Sequence, residues 1–257
     1  MALKTNLTSL TPAREKFKRE ITLLSHGYAA PQSFPDGKIT VYPWDPETDD
    51  WIVDRIRRSG GSSNFMWDLC ARQCDLKGCP IDRFVVGDVN TVILVSRGIM
   101  NRNVVQISPK CPMCGKQATE EIKVPDNLSK IGEKSADYPG YDTITLPDCK
   151  DAVKIRPLVV GDMKKIDGRP EDDKLILPDR LLKILVPVVE VNDTTPDTFS
   201  ELQSWYDALH PIDKQELQDK EDELYPHLDQ NLSVQCDNPD CKHIFQHILT
   251  FNEKFFR

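Results

Sequence analysis

The sequence predicts an α+β fold: a helical domain with small antiparallel β-hairpins, clasped by a zinc-ribbon-like site of four cysteines. Three observations predict it. Two cysteine pairs, Cys111 with Cys114 and Cys236 with Cys241, each follow a strand-like segment. An alternating stretch over 142–158 reads as a hairpin around a turn near 147–150. Elsewhere apolar residues recur at helical spacing, with proline or a capping side chain where the pattern starts. The chain divides into an N-terminal arm or helix, 1–36, and a mixed α+β domain, 37–257.

Within the arm, Thr11 can cap a helix that has Pro12 at its first position and Glu15 in its first turn. Phe17, Ile21 and Leu24 recur at helical spacing. The segment reads either as a surface helix or as an arm that packs on a partner. GYAAPQSFPDG then has the composition of a loop. Residues 38–42 alternate like a strand. Asp45 or Thr48 can cap the next helix, which carries Trp51, Ile52 and Ile56. GGSS at 60–63 breaks the chain, and another helix is expected from Asn64 through Phe65, Met66, Leu69 and Cys70. The apolar density over 84–95 predicts a buried helix capped by Asp88, with a strand as the alternative.

Residues 125–151 are polar and rich in turn formers. The hairpin follows, with strands at 142–146 and 152–158. Residues 175–191 read as a helical region interrupted by Pro178 and Pro187. Thr195 and Pro196 open a helix that places Phe199, Leu202, Trp205 and Leu209 on one face. A highly charged surface helix begins at Pro211. KHIFQHILTFNEKFFR closes the chain with strand-like character.

Composition narrows the functional classes. The chain has 257 residues, 29% charged and 39% apolar, with a formal net charge of −8. That balance argues against a general binder of nucleic acid or anionic membrane, which needs clustered Lys and Arg. In the most basic stretch, Arg14, Lys16, Lys18 and Arg19 are interleaved with Glu15 and Glu20. No apolar run approaches the length of a bilayer span. MALKTNLTSL lacks the apolar centre of a secretory signal. The expectation is therefore a protein made in a reducing cytosol, where eight cysteines serve as ligands or buried thiols rather than disulfides. The sequence shows no G-x-S-x-G, Walker loop, G-x-G-x-x-G, H-E-x-x-H or deaminase His-x-Glu element. A non-enzymatic protein is expected.

The chemistry lies in the cysteine pairs. Cys111-Pro-Met-Cys114-Gly115 has the spacing of a zinc knuckle, in which a tight turn aims two sulfurs at one metal and glycine lets the chain leave it. Cys236-Asp-Asn-Pro-Asp-Cys241 is at the wide end of ligand spacing, with turn-forming residues at its centre. Two hairpin tips facing each other would supply four thiolates to one structural Zn2+. His243 is a possible rival ligand; His243 and His247 read better as residues of the last strand. Cys70, Cys74 and Cys79 lack an evident fourth ligand, with Cys149 the only spare, and read as thiols rather than a second metal site. A zinc-ribbon nucleic-acid or transcription-associated module is the alternative reading. It would use Lys110, Lys116, Lys123 and Lys242, which Glu120, Glu121, Asp237 and Asp240 offset.

The order DRFVVGDVNTVILVSRGIM, VVQISPKCPMCGKQ, TITLPDCKDAVKIRPLVVGD and VQCDNPDCKHIFQHILTFNEKFFR resembles the baseplate hub subunit and assembly family of T-even-like contractile-tailed phages. The resemblance covers roughly 80–257 and includes the phenylalanine-rich ending, Phe251, Phe255 and Phe256. It implies a non-enzymatic part of a tail baseplate, folded in the bacterial cytoplasm and incorporated into the virion. Its implied partners are other hub, wedge or tail proteins, in several symmetry-related copies, with no nucleic acid and no membrane span. One departure is Cys149-Lys150, where that family has a small residue and glycine.

Overall fold

The structure, a computed structural model, describes residues 12–59, 64–99, 103–250 and 255. The Thr11 cap, the 60–63 break, Phe251 and Phe256 lie outside them. Among the described residues every strand pairing is antiparallel, in small sheets of two or three strands, alongside nine α-helices. The α+β expectation holds.

The first core is built from both ends of the chain. Its N-terminal elements are α1 (Pro12–Phe17), β1 (Arg19–Thr22), β2 (Lys38–Val41), α2 (Pro46–Ser59), α3 (Asn64–Gln73) and α4 (Val86–Ile99). The hairpin β3 (Val104–Ile107) with β4 (Glu120–Lys123) follows. The short strand β5 (Lys130–Ile131) comes next. α4 is apolar nearly all round, and Val89, Val92, Ile93 and Leu94 are fully buried, as such a helix requires.

Two expectations change at the N-terminus. The helix stops at Phe17, and Ile21 lies in a strand, opposite Ile39. Helical spacing lost there because pairing with β2 joins this segment to a strand whose Ile39 and Val41 are fully buried. Residues 19–36, expected within the arm, place Leu23, Leu24 and Phe34 in the same core as α4. Arg14 pins α1 by donating to the Arg72 carbonyl at 2.5 Å and lying over the Tyr42 ring.

Of the two caps weighed for α2, Asp45 serves. Its carboxylate accepts from the Thr48 N–H at 2.8 Å and the Thr48 hydroxyl at 2.7 Å. Gln73 donates to that hydroxyl, and Ser96 donates to the Gln73 carbonyl oxygen. This buried relay ties α2, α3 and α4 together. Asp88 does not cap α4. The helix starts two residues earlier, and the Asp88 carboxylate instead accepts the backbone N–H of Ser25 at 3.1 Å and the Ser25 hydroxyl.

The second core lies between the two cysteine pairs in sequence. The sheet β6 (Asp142–Thr145), β7 (Ala152–Ile155) and β8 (Val188–Val191) packs with α7 (Asp179–Leu185), α8 (Phe199–Ala208) and α9 (Pro211–Leu224). Two further helices, α5 (Val160–Asp167) and α6 (Glu171–Ile176), precede α7. Leu146, Val153, Leu185 and Leu217 are its most buried members. The hairpin at 142–158 forms as expected. Its turn is held by Asp213 of α9, whose buried carboxylate accepts the N–H groups of Asp148 and Cys149. Lys150 sits there at φ 65°, in the left-handed region that favours glycine.

Two boundaries differ from expectation. Residues 188–191 form a strand rather than more helix, because β7 offers an unpaired edge and Val188 enters the core. α8 begins at Phe199, not Pro196. Thr198, not Thr195, is its cap and accepts the Glu201 N–H, while Glu201 reaches back to the Asp197 N–H. Leu202 and Leu209 of the expected apolar face are buried, but Phe199 is exposed. α9 is a surface helix apart from Asp213 and Leu217.

The chain then returns to the first core through β9 (His227–Leu228), β10 (Asn231–Gln235) and β11 (Ile244–Ile248). Phe255 is buried there, with Arg97 over its ring.

Burial raises the Asp88 carboxyl to about 6, although bonds from Ser25 oppose the shift. Because its folded value lies above the unfolded one, its contribution to stability is complete below about pH 4 and is lost as pH rises toward 6. An Asp88→Asn variant, compared with wild type by urea unfolding at each pH, should show no difference of this origin near pH 4. It should gain on the order of 3 kcal/mol at pH 7.

Candidate metal centre

β3 delivers Cys111 and Cys114, and β10 delivers Cys236 and Cys241, each at the tip of a hairpin. Both tips close in the same way. The N–H of Cys111 donates to the Lys116 carbonyl at 2.9 Å, and that of Cys236 donates to the His243 carbonyl at 2.9 Å. In each case the acceptor lies two residues past the second cysteine. The residue directly after the second cysteine has positive φ in both: Gly115 at 71° and Lys242 at 47°. Backbone N–H groups two residues further on also reach sulfur. Lys116 serves Cys114, Asn238 serves Cys236 and His243 serves Cys241. The wider spacing of the second pair is absorbed by a turn in which Cys241 and Lys242 both donate to the Asn238 carbonyl.

The two tips face each other. All four sulfurs lie within 4.8 Å of one another. Cys111 Sγ is 3.9 Å from Cys241 Sγ, and Cys114 Sγ is 3.5 Å from Cys236 Sγ. A tetrahedron of sulfurs around a metal at about 2.3 Å has edges of about 3.8 Å, whereas a disulfide bond is about 2.05 Å. The spacing therefore suits a shared ion, and the four cysteines are free thiols. Cys111 and Cys236 are buried, Cys241 is half-buried and Cys114 is exposed, so the cluster is open on one side. Two contacts brace the facing tips: Thr119 N–H donates to Asp237 at 2.8 Å and Lys116 Nζ to Asn238 at 3.3 Å.

The electrostatics also suit a cation. The Lys116 N–H pulls the Cys114 thiol down to about 6. Cys236 is pushed up to about 12; the Asn238 N–H opposes this, but desolvation and the neighbouring thiols prevail. Four sulfurs this close cannot all ionise without a positive charge between them. A dication replaces the protons they would otherwise share.

All four expected ligands come together, paired crosswise along the sequence. His243 contributes its backbone and stacks its ring on Phe245, and it is not part of the cluster. Among the described residues this is the only group of three or more potential ligands close enough to hold a metal. Cys70, Cys74 and Cys79 are buried thiols. Cys74 donates to the Cys70 carbonyl and Cys79 to the Pro80 carbonyl, and burial pushes the Cys70 and Cys79 thiols up. Cys149 is exposed on the β6–β7 turn. The positive φ of Lys242 was not read from the sequence, although its place after the second cysteine, matching Gly115, was the available signal.

No protein-family model, curated protein or solved structure matches the chain. No helix among the described residues is long and apolar enough to cross a membrane.

The matched turns give a paired prediction. Lys242→Gly relieves a left-handed lysine and should stabilise the protein by up to about 1 kcal/mol. Gly115→Ala imposes the same strain on the other tip and should destabilise it by about 1 kcal/mol or more. Thermal melts of the two metal-loaded variants should move in opposite directions.

Proposed function

We propose that the protein is a non-enzymatic structural or assembly component of a phage contractile-tail baseplate, in its hub region, held together by one structural Zn2+ in a zinc-ribbon-like site. The observation that carries the structural part is the four-cysteine cluster joining two hairpins whose cysteines are 122 positions apart. Four thiolates favour zinc or iron among biological metals. A closed set of four protein ligands is the pattern of a structural rather than a catalytic site. The baseplate assignment rests on the order of motifs in the sequence. The left-handed Lys150, at the position where that family carries glycine, supports it. On this reading the protein folds in the bacterial cytoplasm and joins other hub or tail proteins, in several copies, in the virion. The nucleic-acid alternative is less supported, because the Lys116 ammonium is engaged by Asn238 and the negative Asp237 carboxylate is held at the facing tips by the Thr119 N–H.

Metal analysis of the purified protein should give about one zinc per chain, falling as pH is lowered because protons compete for the thiolates. Cys111→Ser should lose the metal and lower the melting temperature. A metal-free wild-type protein, or an unchanged melt in the variant, would contradict the zinc. In infected cells the protein should cosediment with baseplates or their assembly intermediates. A protein that stays unassembled throughout infection would contradict the tail role.

A further inference from the structure

β10 and β11 form a two-stranded ribbon, and among the described residues no strand pairs with the other edge of β10. The register fixes what that edge presents. Cys236 N–H donates to His243 and Leu249 N–H to Gln230, so residues 230, 232, 234 and 236 point their backbone groups at β11. Asn231, Ser233 and Gln235 therefore point theirs outward. The Asn231 N–H is taken by the Asp229 carboxylate, and the groups of Ser233 and Gln235 have no partner among the described residues.

Edge strands are normally defended by lysine, proline, a bulge or a cover. β10 reads NLSVQ, with no charge and no proline, and its pairing with β11 is regular. The exposed face of the ribbon is also uncharged. It consists of Asn231, Ser233 and Gln235 opposite Ile248, Gln246 and Ile244. Ile244 and Ile248 are 62% and 57% exposed. In a chain with 29% charged residues, that face has the charge depletion of an interface centre.

The edge leads into a cavity of about 490 Å³, lined by Val86, Leu158, Met163 and Leu228, by the oppositely charged Lys183 and Glu221, and by Asn231 and Ile248 of the ribbon. Gln230, immediately before β10, lines it, and its side-chain N–H₂ is buried with no acceptor. A buried donor of this kind calls for a partner.

We propose that β10 is the docking strand for an extended, uncharged segment of another protein, which adds as a third strand and places one end in the cavity, where its backbone carbonyl accepts from Gln230. A second copy of this chain fits less well. Symmetric antiparallel pairing about Ser233 would set Asn231 of each copy against Gln235 of the other, and the Asn231 N–H is already taken by the Asp229 carboxylate in both. The inference stands on the edge and the cavity, and depends neither on the metal nor on the tail assignment.

The test uses the metal-loaded full chain and a fluorescent, acetylated and amidated peptide of alternating valine and threonine with a glycine–lysine tail. Peptide binding should slow exchange of the Ser233 and Gln235 amides at least tenfold. Ser233→Pro removes an outward N–H and leaves the β10–β11 ladder intact, so its melt and metal content should match wild type while peptide affinity falls at least tenfold. Gln230→Leu should weaken binding without removing it. Four results would overturn the proposal: no binding at millimolar peptide, wild-type affinity in Ser233→Pro, protection confined to another strand, or protection of β10 by raised protein concentration alone.

Discussion

Four sulfur atoms within 4.8 Å of one another hold two hairpin tips that the chain separates by more than a hundred residues. The first core draws residues from both sides of that contact. Its N-terminal helices and its β3–β4 hairpin are complete before residue 125, yet Leu232, Val234 and Leu249 of the returning chain pack into the same cluster. Closing a loop of about 100 residues corresponds to roughly 4–5 kcal/mol in the cross-link entropy model. The β5–β9 pair makes part of that closure, and an ion bound by the four sulfurs would reinforce it and balance the charge of four thiolates.

The closed loop is not slack. It contains a second core with its own sheet and helices, organised by Asp213 gripping the β6–β7 turn. The segment that carries the second core meets the first where Val86 N–H donates to Leu158 and the Tyr28 hydroxyl donates to Pro157, and Val160, which donates to Phe84, packs in the first core itself. The protein is thus one apolar unit completed late in the chain, with another inserted between the halves of its clasp. The insertion leaves and rejoins at the β5–β9 pair, Lys130 opposite Leu228 and Ile131 opposite His227, and the cysteines join the hairpins that flank it in sequence.

Much of this was legible where the signal is local. The knuckles, the strand before each and the 142–158 hairpin depend on turn residues and alternation within a few positions. The lost expectations depend on distant partners. Ile21 keeps helical spacing with Phe17 and Leu24, but Ile39 is its actual neighbour. Asp88 has the look of a cap, but Ser25 claims its carboxylate. Thr195 and Thr198 are both possible caps, and only Thr198 has Glu201 three residues on, whose N–H it accepts while the Glu201 carboxylate takes the Asp197 N–H. The second core was not anticipated, because its apolar residues are spread over three strands and three helices that no short window links.

The central claim is that the cysteine clasp closes the first core and that the inserted core stands without it. Hydrogen exchange on the full chain, before and after removal of the metal by a strong chelator, tests this most directly. The account predicts faster exchange in β3, β4, β10 and β11 while β6, β7 and β8 stay protected. Loss of protection in both cores together, or hairpins that stay protected without metal, would contradict it.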